Sequence, residues 1–143
     1  MRGPSGATIK KGDTVPRVSA AFFAIGVIYL LLGMSWGMHM GASEDFSMMP
    51  AHAHLNLLGW VTMAIYGTFY ALTAATLSPK LAWTNFALAA GGVAAMIPSL
   101  ALYLSNHDAK YVPGLVTGEV LTVLSLLVFG ISVYRELVRP RPA

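Results

Sequence analysis

The chain has 143 residues, 56% of them hydrophobic and only 10% charged, with a mean hydropathy of +0.64. A soluble domain carries about 25% charged residues, so the charges here are too few to cover a globular surface in water. The absence of cysteine excludes disulfides, thiolate zinc sites, iron–sulfur clusters and covalently attached c-type haem, leaving His, Met, carboxylate and backbone oxygen as metal ligands.

Residues 1–17 hold Arg2, Lys10, Lys11, Gly, Ser and Pro without an apolar run, and read as a flexible tail. The apolar stretch that follows is too long for a signal-peptide core and lacks a small-residue cleavage site. Four apolar runs near the ~20 residues that cross a bilayer then fill residues 18–138. They predict helices over about 18–38, 51–75, 82–104 and 114–134. Pro50 precedes the second, where its missing N–H costs nothing, and Pro98 should kink the third. Residues 139–143 close the chain as a short tail. The fold class is therefore all-α, a four-helix transmembrane bundle.

With four crossings, both termini and the middle turn share one side. That side carries Arg2, Lys10, Lys11, Arg17, Lys80, Arg135, Arg139 and Arg141, against Lys110 alone on the other. The positive-inside rule makes both termini cytoplasmic. The net charge of +3 is thus a topology signal, and no nucleic-acid partner is expected. All four histidines, and Met38, Met40, Met48 and Met49, fall at the opposite, periplasmic face.

The stretch SMMPAHAHLNLLGWVTMAIYGTFY, residues 47–70, places His52 and His54 where a polar loop enters the second helix. A polar side chain at that depth needs a partner. Either a neighbouring helix supplies a hydrogen bond or His54 ligates haem iron or copper. Two residues apart on a regular helix, the two imidazoles diverge by roughly 200° and cannot chelate one ion. Asn56, Trp60, Met63, Gly67 and Tyr70 form one stripe of this helix, and His54, Leu58, Val61 and Ile65 another. Trp60 is deep enough to line a cofactor pocket.

The motif AHAHLNLLGW, followed by an aromatic and small-residue helix, resembles the second transmembrane helix of the haem–copper oxidase superfamily, most of all the nitric oxide reductase catalytic subunit. It is also similar to short bacterial membrane proteins carrying HAHLNLLGW. In the superfamily a histidine in this context ligates a low-spin haem b near the periplasmic face, and His54 is the matching residue. The resemblance implies haem b, with the second axial ligand from His52, His107 or another protomer's His54, and electron transfer or binding of O2 or NO in a bacterial inner membrane. The superfamily's subunit I has about twelve helices in three similar arcs and further histidines on later helices. This chain has the helices of one arc only, so the ring would be rebuilt as a homotrimer, with a periplasmic electron donor as partner.

The methionines carry an alternative. Met38, His39, Met40, Met48, Met49 and His52 gather thioethers and imidazoles at one face, and thioethers favour Cu(I); methionine is also a common apolar filler. This reading is a copper-binding or oxidase-assembly protein served by a copper carrier. Glu119, the one carboxylate inside an expected span, is a candidate for proton relay or for pairing with His107. Gly33, Gly37 and Gly41, and Gly91 with Gly92, give small-residue surfaces for close helix approach.

Overall fold

The computed structural model describes residues 14–140. The expected tail residues 1–13 and the last three residues lie outside that range. Among the described residues the structure is all-helical. Helix α1 is Arg17–Ser43, and the second span is α2 (Met49–Asn56), a π-helical segment (Leu57–Thr62) and α3 (Met63–Leu72). Helix α4 is Pro79–Asn106, and a 3₁₀ turn, Ala109–Tyr111, leads into α5, Val112–Leu137. All four spans are long and apolar enough to cross a membrane, which makes this a multi-pass membrane protein.

Successive spans run antiparallel, so the connections after α1 and α4 lie at one end with the histidines. The turn after α3 lies at the other, basic end. The first span is longer than expected: Met38, His39 and Met40 continue α1 instead of entering a loop. Nothing in GMHMGAS breaks a helix outright, and termination waits for Glu44, which takes the left-handed conformation at φ 55°. Helix α4 likewise ends at left-handed His107, φ 52°. Pro50 and Pro79 stand in the first turns of α2 and α4, where no intrahelical N–H is needed. Pro98 lies inside α4 and has no N–H to offer the Ala94 carbonyl.

The spans pack as two close pairs, α1 with the second span and α4 with α5. Small residues set the approach. A Cβ on Gly92 would come 2.6 Å from Thr122 Oγ1, and one on Gly118 2.5 Å from Met96. Gly91, beside Gly92, meets nothing, so only one glycine of that pair makes a contact. Towards the basic end an aromatic cluster joins all four spans. Phe22 stacks on Tyr70 at 5.8 Å and meets Phe86 edge-on at 5.2 Å, while Phe129 lies 4.4 Å from Tyr66. Offset and edge-on aromatic pairs add about 0.5–1.5 kcal/mol each beyond burial.

Within this cluster sits a polar group. Asn85, fully buried, donates through Nδ2 to the Tyr70 hydroxyl at 3.2 Å, and that hydroxyl lies 3.2 Å from Ser132 Oγ. Three spans are thereby tied by side-chain hydrogen bonds in apolar surroundings, where unpaired polar groups are costly.

Candidate histidine site at one membrane face

The π segment begins one residue after Asn56 and sets the geometry of the histidine motif. The buried residues Ala51, Leu55, Gly59 and Met63 step by four. On a regular α-helix such a line drifts by about 40° per step, and the wide turn unwinds part of that drift. The Thr62 hydroxyl donates to the Leu57 carbonyl five residues back at 3.0 Å. Gly59 is needed at this turn because Tyr29 of α1 lies on it: a Cβ there would come 2.8 Å from the Tyr29 Cβ. Tyr29 then reaches past the second span to donate its hydroxyl to the Ala90 carbonyl of α4 at 3.0 Å. Isolated π turns are frequent at functional sites.

Three residues of the motif face α1. A Cβ on Gly37 would come 2.8 Å from His52 Cε1, one on Gly33 would overlap Asn56 Oδ1, and one on Gly26 would come 3.2 Å from Trp60 Cε3. The Asn56 amide nitrogen donates to the His52 carbonyl at 3.1 Å and lies 3.3 Å from Nδ1 and 3.2 Å from Nε2 of the same histidine. A position so nearly equidistant from both ring nitrogens lies over the imidazole face. His52 is therefore held half-buried between Asn56 and Gly37. Trp60 packs on Gly26 and Phe23, its ring 6.5 Å from that of Phe23.

His54 turns the other way and is exposed. Its Nδ1 lies 2.7 Å from the Pro50 carbonyl oxygen. A carbonyl oxygen can only accept, so Nδ1 carries the proton in this bond. In the neutral ring Nε2 is then left with its lone pair, directed away from the helix. Hydrogen bonding of one ring nitrogen to a backbone carbonyl fixes the tautomer in the way metal-ligating histidines are commonly fixed. The expected divergence of His52 and His54 is what the helix shows.

The other candidates are scattered around this end. His39 is exposed on α1, and His107 is exposed at the left-handed end of α4, its ring 6.5 Å from that of Tyr103. Met38 is 68% exposed while Met40 is 3% exposed, so the two thioethers of Met38-His39-Met40 face opposite ways. Met48 is half-buried and Met49 exposed. Among the described residues no three His, Cys, Asp or Glu side chains come together as a metal-binding group. Glu119 lies on the outward face of α5 and makes no salt bridge among the described residues, the two formed there being Lys110–Asp108 and Arg139–Glu136.

Composition of the helices did not reveal one further feature. Between α1, α2 and α4 lies an apolar cavity of about 390 Å³, lined by Tyr29, Leu32, Trp36, Leu55, Ile97, Pro98 and neighbours. Its size falls in the range of small-molecule pockets. No histidine lines it; it is on the α1–α4 side of Leu55, whereas His54 faces outward. A signal for it in the sequence is Pro98, which leaves the Ala94 carbonyl without a helical N–H at that level. Compared with known proteins, the chain matches no family model, no curated protein and no solved structure.

Proposed function

We propose that the protein is a b-type haem-binding protein of the bacterial inner membrane, with its histidine end periplasmic and His54 as axial ligand. The observation that carries this reading is the 2.7 Å bond from His54 Nδ1 to the Pro50 carbonyl. It leaves Nε2 as the donor atom at an exposed position one to two turns inside an apolar span. A neutral imidazole nitrogen held in one tautomer suits haem iron. The apolar residues beside it on the exposed face, Leu57 and Val61, 59% and 43% exposed, suit a macrocycle. Haem bound there supplies one-electron chemistry and a site for a diatomic gas. His52, turned to α1, is placed as a support of the helix packing. The second axial position falls to a neighbouring copy or a small ligand, with a periplasmic electron donor as partner.

The test is the visible spectrum of detergent-purified protein from haem-replete cells, oxidised and dithionite-reduced, beside His54→Ala and His52→Ala. The expected result is a b-type spectrum in the wild type that is lost in His54→Ala and retained in His52→Ala. A colourless wild type, or a spectrum that survives His54→Ala, overturns the reading.

A further inference from the structure

Helix α5 carries more than one line of residues at coiled-coil spacing, and only one of them is used within the protomer. Gly118, Ser125 and Ser132 are buried and spaced by seven, facing Met96 and Gly92 of α4 and Tyr70 of α3. On another face Val116, Glu119, Val123, Leu126 and Gly130 recur at steps of three and four. Val116, Val123 and Leu126 are 47%, 57% and 58% exposed. Glu119 and Gly130 are exposed as well, and a Cβ on Gly130 would meet nothing.

The second seam contains the one feature that exposure to lipid does not tolerate. Glu119 lies seven residues after Val112, roughly 10 Å along the helix at 1.5 Å per residue. A carboxyl facing hydrocarbon is costly without a partner. We propose that this seam is occupied by α5 of a second copy of the chain.

The identity of the occupant follows from depth and symmetry. Copies inserted in one orientation place their Glu119 side chains at the same level. A carboxyl group both donates and accepts when it carries its proton, so it is its own complement. A single polar residue in an otherwise apolar heptad seam fixes register and oligomer number. Gly130 further along lets the two backbones approach, as small residues do between membrane helices. The seam is independent of the haem reading: a colourless protein would still associate through it.

Oxidative cross-linking of single-cysteine variants in native membranes tests this, because the chain has no cysteine of its own. Val116→Cys, Val123→Cys, Leu126→Cys and Gly130→Cys are expected to give a band at twice the monomer mass. Leu124→Cys and Ile131→Cys, exposed on a different side of α5, are expected not to. In the Val123→Cys background, Glu119→Gln should keep the cross-link, and Glu119→Leu should weaken it by about three- to twentyfold, the range of single hydrogen bonds between membrane helices. Equal cross-linking on both sides of α5, none at the seam, or adducts only with a different protein would each overturn the proposal. So would a cross-link unchanged in Glu119→Leu.

Discussion

Asn56 Oδ1 lies where a Cβ on Gly33 would project, so the oxygen points along one Cα–H bond of α1. That oxygen is buried and has no conventional hydrogen-bond donor. The Cα–H···O contact is its remaining interaction, a weak one that recurs where membrane helices approach closely. The amide nitrogen on the same side chain is held by the His52 carbonyl at 3.1 Å, so the group cannot swing away without losing that bond.

Gly33→Ala should therefore destabilise the bundle by about 1–3 kcal/mol, the usual range for overpacking. Asn56→Ala in the same chain should restore most of that loss, since the three atoms nearest to the added methyl all belong to Asn56. Unfolding by denaturing detergent, followed by circular dichroism, measures both. Additive losses in the double variant would show that the Gly33 methyl meets something other than Asn56.

The two glycines Gly59 and Gly91 make a matched pair. A Cβ on Gly59 comes 2.8 Å from the Tyr29 Cβ and 3.0 Å from its ring, whereas Gly91 has open space. Gly59→Ala should cost about 1–3 kcal/mol and disturb the π turn, while Gly91→Ala should be neutral or stabilising within about 1 kcal/mol. The same unfolding assay distinguishes them. Helix propensity alone would make both substitutions favourable, so similar losses at both positions would mean that the seat of Tyr29 does not decide the cost.

Four membrane spans were legible from hydropathy because lipid demands long uninterrupted apolar runs, and Pro50 marked the start of α2 to within a residue. The extension of α1 through Met38, His39 and Met40 was not legible, since polar loop composition begins before the helix ends. The π segment was invisible for a different reason. Leu57–Thr62 has no local breaker except Gly59, and the residue that Gly59 makes room for, Tyr29, lies on another helix. The opposite facings of His52 and His54 followed from helix geometry alone. That Asn56 caps the ring of His52 against Gly37, and that Glu119 faces outward, depended on which neighbours each helix meets, which periodicity does not specify.

The connection between α4 and α5, at the histidine end, gives a pH prediction. Asp108 accepts from the Lys110 backbone N–H at 2.9 Å and pairs with its ammonium at 2.8 Å. The Lys110 ammonium first, and the backbone N–H second, hold the Asp108 carboxyl below its usual 3.8. Asp108 in turn raises Lys110 above 10.5. A lowered carboxyl contributes above its unfolded value and is lost as pH falls through the folded one; a raised ammonium contributes below its unfolded value and is lost as pH rises through the folded one. The turn should thus be constant between about pH 4 and 10. The Asp108 side-chain carboxyl carbon shift in micelles should titrate with a midpoint below 3.8, moving upward in Lys110→Ala. A midpoint at or above 3.8 in the wild type would show that the pair does not form.

The Tyr70 hydroxyl is the common partner of Asn85 and Ser132, each at 3.2 Å, and Asn85 Oδ1 has no donor of its own. Removing the hydroxyl strands a buried Asn85 N–H, because Ser132 retains its bond to the Val128 carbonyl at 3.2 Å. Tyr70→Phe should cost about 0.5–2 kcal/mol, within the range of interhelical hydrogen bonds in membranes. Asn85→Leu removes both the stranded N–H and the unpaired oxygen, so Tyr70→Phe with Asn85→Leu should lose less than Tyr70→Phe alone. That inversion is the informative result, because simple loss of packing would make the double variant the worse of the two. Replacing both members of a buried polar pair by apolar groups of similar shape is often nearly neutral, whereas replacing one is not. A double variant less stable than Tyr70→Phe would mean that packing lost at Asn85 outweighs relief of its stranded polar atoms.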